Sequence, residues 1–251
     1  MKVATNLMRV IPTLRYDEYA TKARSVLRDD VFRELFVVDE RNRLKGYLDI
    51  SDVLRVVDTK SNVTIGGFVR EAATVAPETS LHEVGLAILD ARTNSAAIVD
   101  EDGALLGGVL FSELFPVLIS RHAITGRVGD VMSQDPVTCT PEDPVLKIYS
   151  LIVTSGFVAF PVVQKKEVIG LLSRRDLLRA GGIRSTVKNQ ADTTVERVMT
   201  TPVISVTPDD PIATASRLMV EHDISLLPVI DERRHLVGVI DRHDVLSSFT
   251  R

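Results

Sequence analysis

The residues of this chain best suited to chemistry are Ser173 and Asp176, three positions apart in Gly170-Leu-Leu-Ser-Arg-Arg-Asp-Leu-Leu178. A short apolar run enters a helix here with the pair at the junction, and that arrangement has two physical readings. In the first it is a capping box, in which serine and the acidic residue satisfy the orphan N–H groups of the helix start. In the second it is a ligand site. A helix N-terminus with a hydroxyl side chain favours phosphate, and an ionised carboxylate can accept from two adjacent ribose hydroxyls.

Three related stretches place Asp49/Asp52, Leu110/Glu113 and Asp241/Asp244 at the corresponding positions. Aspartate caps a helix as well as serine does, but at 49 or 241 it would repel a phosphate. Ser173 alone supplies a neutral hydroxyl. Arg174 and Arg175 follow it, and Arg242 and His243 hold the equivalent place in the last stretch. If the helix starts meet, Arg174, Arg175 and Arg242 are expected to form a small cationic cluster. The Asp244 site suits a nucleoside or a sulfonium, and the first half of the chain is expected to be structural or to bind something uncharged.

No other constellation points to catalysis or to a metal. The five histidines show no metal-ligand spacing. Ser112, Ser155 and Cys139 lack a nucleophile elbow or a nearby base, and no glycine-rich phosphate loop occurs. No catalytic residue, metal or cofactor is expected.

The four stretches belong to a larger repeat. Their leading glycines, Gly46, Gly107, Gly170 and Gly238, lie 61, 63 and 68 residues apart. Asp17, Pro77, Pro141 and Pro208 precede them by 29 or 30 residues, and Met8, Phe68, Met132 and Met199 stand nine residues earlier still. The last copy shows the unit most clearly. Pro202–Pro208 alternates as a short strand, and Pro211–Glu221 reads as a helix opened by proline. Leu226–Ile230 and Leu236–Ile240 are apolar strands around a polar turn, and a helix starts near Asp241. The other copies give helices over Ala20–Leu27, Ser80–Leu89 and Val145–Val153, and strands over Leu35–Asp39, Ala96–Asp100 and Phe160–Val163. Linkers fall at 58–62, 121–126 and 181–192.

Each unit is thus β-α-β-β-α, too small to cover both faces of its sheet, so the units are expected to pair across pseudo-twofold axes. The fold class is α+β, with repeats over 1–60, 61–122, 123–185 and 190–251, paired as 1–122 and 123–251.

Bulk composition agrees. The 251 residues are 45% hydrophobic and 25% charged, ordinary for a globular chain. A net charge of −4 offers nothing to nucleic acid or to an anionic membrane surface. A single cysteine excludes an internal disulfide and fits a reducing interior. The longest uncharged run, 148–163, is short and broken by Gly156 and Pro161. With no signal-peptide pattern at the start, the expectation is a soluble cytoplasmic protein.

These landmarks resemble cystathionine β-synthase (CBS) domains, whose tandem pairs form Bateman modules, and the resemblance covers about residues 5–250. The Gly-apolar-apolar-Ser-x-x-Asp entry to the final helix is that family's adenosine-ligand motif. The chain looks most like the four-repeat γ subunit of AMP-activated kinase and stand-alone archaeal proteins. The resemblance implies a disc-like arrangement, as a monomer or homodimer, with serine facing phosphate and aspartate facing ribose. Carried over, Asp176 would work with Ile204, Ile224 and Ser225, and Asp244 with Val137, Phe157 and Val158. These apolar residues read equally well as plain core. Asp223 stands where the family often places a phosphate-binding basic residue, against a triphosphate.

The functional expectation is a non-enzymatic sensor, acting mainly through 123–251. It would bind AMP or ADP, with ATP or S-adenosylmethionine in the same class, and regulate an unidentified protein target. The alternative is an interaction scaffold whose motifs are only caps. With fewer than twenty residues outside the repeats at either end, no appended catalytic domain is expected.

Overall fold

The computed structural model describes residues 2–27, 32–49, 51–52, 62–155, 157, 159–179 and 193–250, with backbone alone at 153–155, 175, 178–179 and 250. The chain separates into two compact units, Met1–His122 and Ala123–Arg251.

The first unit holds two three-stranded sheets. In one, β1 (Thr13–Arg15) runs parallel to β2 (Glu34–Val38), which pairs antiparallel with β3 (Leu44–Asp49); α1 (Ala20–Val26) connects β1 to β2. In the other, β4 (Ala73–Val75), β5 (Ser95–Val99) and β6 (Leu105–Leu110) repeat that order, with α2 (Leu81–Ala91) between β4 and β5 and α3 (Phe111–Ile119) after β6. The final helix of the first repeat opens at Ser51–Asp52, and its continuation lies outside the described residues.

The second unit repeats the plan with α4 (Val145–Ser155), β7 (Ala159–Gln164), β8 (Glu167–Ser173) and α5 (Arg174–Arg179). Its other repeat has α6 (Ile212–Glu221), β9 (Leu226–Ile230), β10 (Leu236–Asp241) and α7 (Arg242–Ser247). The strand expected over Pro202–Pro208 is absent. One parallel bridge, Val206 to Val229, takes its place, and Cys139 to Val162 does the same in the third repeat. The cause is the partner strand. Phe36 of β2 donates its N–H to Pro12 O and extends the first repeat's ladder. Pro161 and Pro228, at the matching places in β7 and β9, have no N–H to give. The polar turns are also built differently. Asp39, Asp100 and Asp231 each accept two backbone N–H bonds at 2.8–3.0 Å across the turn. The third repeat instead turns tightly through Lys165 and Lys166, both at positive φ (51° and 75°).

Within each unit the two repeats interlock reciprocally. The segment after each N-terminal landmark bridges the last strand of the other repeat: Arg9 to Gly108, Arg70 to Tyr47, Ser133 to Val239 and Thr200 to Leu171. Each bridge carries two N–H to O bonds of 2.8–3.1 Å. This pseudo-twofold exchange explains two of the sequence landmarks. A Cβ on Gly107 would come within 2.7 Å of Met8, on Gly170 within 2.5 Å of Met199, and on Gly238 within 2.9 Å of Met132. The glycine of one repeat is therefore the socket for the methionine of the other. The second repeat corrects the landmark by one residue: Val69, not Phe68, fills the socket at Gly46. Large side chains such as Phe36, Phe115 and Phe160 are fully buried beneath these contacts. Among the described residues no helix is long and apolar enough to cross a membrane.

Candidate functional site

The end of β8 delivers Ser173 and Asp176 to the start of α5. Asp176 Oδ2 accepts from Ser173 N (2.7 Å) and Ser173 Oγ (2.6 Å), while Asp176 N donates to Ser173 Oγ (3.2 Å). This is the capping box in full. The other carboxylate oxygen, Oδ1, accepts from Thr200 Oγ1 at 3.1 Å. Thr200 comes from the fourth repeat, on the segment that bridges Leu171, so both repeats of the second unit meet at this carboxylate. Among the described residues, the side chains that bond Asp176 are both hydroxyls.

Asp244 is held by a second capping box: Asp241 N donates to Asp244 Oδ2 and Asp244 N to Asp241 Oδ1, both at 2.9 Å. Ser133 occupies the position equivalent to Thr200, bridging Val239 on the strand that leads to Asp244. The apolar residues expected beside these acids divide into two sets. Ile204 and Ile224 are half-buried. Val137 and Phe157 stay 42% and 48% exposed in a chain whose large apolar side chains are mostly buried. Phe157 rests edge-on against Phe160, ring centroids 6.0 Å apart. Val158 lies outside the described residues, as does the side chain of Arg175.

The cationic cluster is corrected at Arg242. This side chain is buried and directed inward, donating to Met219 O (3.3 Å) and to Asp223 Oδ1 (3.4 Å). It sits at the C-terminal end of α6, where a cation meets the negative end of the helix dipole. Asp223, at positive φ just past that helix, is there as its partner. Arg174, the equivalent residue in the third repeat, is also buried. Ser225 gives its carbonyl to Arg242 N at 3.2 Å, which ties the start of α7 to the entry of β9.

The first unit treats its motif acids differently. Arg70, equivalent to Thr200, ion-pairs with Asp52, a carboxylate only 3% exposed. Arg9 grips both oxygens of Glu113, at 3.1 and 3.0 Å. Each arginine reaches across from the other repeat of the unit. Nearby, Glu34 at the start of β2 is buried and accepts from Ser95 Oγ (2.6 Å), Asn94 N (2.7 Å) and Asn94 Nδ2 (3.2 Å). Burial raises its carboxyl to about 7, with Asp49 adding to the shift and the bonds from Ser95 and Asn94 opposing it.

Sequence reasoning missed Thr200, Arg9, Arg70 and Glu34. The first three follow directly on the landmark residues that pack the glycine sockets, so their shared register was there to be read. Glu34 carried the signal of an acid opening an apolar strand. Among the described residues, no group of three or more His, Cys, Asp or Glu side chains could hold a metal ion.

Comparison with known proteins gives the family. The CBS domain model matches residues 4–59, 128–182 and 195–251, about two thirds of the chain. The second repeat lies outside the matched residues, and its motif departs most, with Leu110 and Glu113. The chain is 23% identical to protein MJ1225 of Methanocaldococcus jannaschii, over 99% of this chain and 98% of that protein. The crystal structure of MJ1225, proposed as an archaeal homologue of γ-AMPK, aligns over 99% of this chain and 100% of its own, with a TM-score of 0.81 at 20% identity. A Pyrococcus horikoshii protein aligns over 98% of this chain and 99% of its own, with a TM-score of 0.69 at 18% identity. Protein MJ1404 of M. jannaschii is 23% identical over 94% of this chain, which spans 59% of that relative. At these identities the structural likeness speaks for the fold.

Proposed function

The chain belongs to the CBS domain family, and from that premise we propose that it is a non-catalytic regulatory protein whose second unit binds an adenosine-containing ligand at Asp176. The observation that carries this reading is that each oxygen of that carboxylate accepts from a side-chain hydroxyl, Ser173 Oγ on Oδ2 and Thr200 Oγ1 on Oδ1. A ribose diol offers the same donors and exchanges for them like for like. Ser173 then turns its hydroxyl toward a phosphate at the start of α5, and Ile204 and Ile224 flank the base. AMP or ADP fits best, because no basic residue stands at 223 for a third phosphate.

The Asp244 site, with Asp241 in place of serine, is proposed for a nucleoside or for the sulfonium of S-adenosylmethionine. Val137 and Phe157 supply its apolar faces. Regulation requires that the ligand bind one arrangement of the paired repeats better than another. Thr200, bridging the repeats at the carboxylate of Asp176, is the residue through which occupancy reaches the interface. The regulated target is a protein, and the working compartment is the cytoplasm.

The complete capping boxes at Ser173/Asp176 and Asp241/Asp244 favour a second reading, a scaffold in which the motifs only cap helices. Thermal unfolding with millimolar AMP, ADP, ATP, S-adenosylmethionine and inorganic phosphate separates the two. A ligand at 100 times its dissociation constant stabilises by about 2.7 kcal/mol, a shift of a few degrees. A rise with an adenosine compound but not with phosphate supports the sensor. A flat panel leaves the scaffold.

A further inference from the structure

The position that bridges the residue after each glycine holds arginine in the first unit, at 9 and 70, and a hydroxyl residue in the second, at 133 and 200. We propose that this position selects which clefts admit a sugar diol, and that Arg9 and Arg70 are built-in occupants that close the carboxylates of the first unit. The proposal rests on the reading that the motif carboxylate is where the diol binds.

Two independent observations carry it. The first is the pairing itself. Glu113 holds a guanidinium on both oxygens, and Asp52 is buried beneath the guanidinium of Arg70. To accept a neutral diol, either carboxylate must release a charge-assisted bond and leave a cation facing it, whereas Asp176 exchanges one hydroxyl for another. The second lies at the entry to β5. Asn94 is the counterpart of Ser225, just before the strand that pairs with the motif strand of its own repeat. In the first unit its N–H and its side-chain amide are already bound by the carboxylate of Glu34, with Ser95 completing the cluster. The positions equivalent to Glu34 in the second unit are Ala159 and Leu226, which carry no acceptor. Asp52 and Asn94, the counterparts of Asp176 and Ser225, are thus both held by the chain's own side chains, and Asp49 adds a negative charge that disfavours phosphate.

The test uses the full chain and measures binding by equilibrium dialysis, with adenosine and AMP as probes. The double variant Glu34→Ser/Arg70→Thr is expected to bind one more adenosine per chain than the wild type. The reciprocal Thr200→Arg is expected to weaken AMP binding at least tenfold without lowering the unfolding midpoint, because it adds an ion pair to Asp176. Should the double variant not fold, Arg9→Thr, whose pair with Glu113 is largely exposed, is expected to add an adenosine site at Glu113.

A folded opening variant with wild-type stoichiometry, in a chain whose wild type binds nucleotide, overturns the proposal and leaves the reading of the second unit standing. A wild type that binds nothing while the opening variant gains adenosine does the reverse. Binding in neither overturns both.

Discussion

The two units build the same pair of repeats around different partners for the motif acid: arginine holds Asp52 and Glu113 in the first, and the hydroxyl of Thr200 meets Asp176 in the second. An ion pair between repeats fixes their interface whether or not anything else is present. A hydroxyl pair is weaker and can be displaced, so the same interface can respond to a ligand. On the proposed reading, one residue position, placed by the bridge beside each glycine socket, separates a responsive module from a static one.

The largest effect expected from breaking this contrast lies in the first unit, at Glu34. Its folded-state carboxyl is raised from 4.5 to about 7, so between those values the folded chain holds a proton that the unfolded chain has lost. The contribution is complete below about pH 4.5 and disappears as pH rises through 7, a loss of about 3 kcal/mol at 1.36 kcal/mol per unit. Denaturant unfolding from pH 5 to 8 should show stability falling with pH in the wild type, and the Glu34→Gln variant should lose that slope. An equal slope in both would show that the Glu34–Asn94–Ser95 cluster is not what titrates.

Next comes the socket shared by both units. Gly170→Val forces a side chain into Met199, and overpacking of this kind costs about 1–3 kcal/mol. Adding Met199→Ala should recover part of that loss by making room. A double variant no better than the single one would mean that the glycine serves something other than the interlock.

A smaller effect sharpens the choice between cap and ligand site. Ser173→Ala removes the hydroxyl from the box around Asp176 and should cost about 0.5–2 kcal/mol in chemical denaturation. If Ser173 also faces phosphate, the variant loses more affinity for AMP than for adenosine. Equal losses for the two ligands would confine it to capping. The smallest expectation concerns Cys139, packed in the core of the third repeat and raised to about 12 by burial, with Asp143 adding to the shift. Native chain at pH 8 should react with a thiol reagent far more slowly than unfolded chain.

Much of this was legible before any coordinates. The glycines, the acids six residues after them and the methionines kept a constant spacing because each marks a contact that four copies must make. The hairpin turns were readable from their polar clusters. What escaped was whatever depends on contacts between elements distant in sequence. Proline within β7 and β9 shortens a neighbour's ladder, which no pattern inside Pro202–Pro208 reveals. Arg242 looked like a cation for a ligand until the end of α6 and Asp223 were seen to receive it. Arg9 and Arg70 hold acids of the other repeat, and Val69 stands eight residues before Pro77 where the other three socket residues stand nine before their landmark, which drew the reading to Phe68.

The central claim is that Asp176 is a ligand carboxylate and not only a cap. Calorimetric titration of AMP into the wild type and into Asp176→Ala tests it most directly. The account predicts a stoichiometry near one for the wild type and no measurable binding in the variant. Binding of equal affinity in both would contradict it.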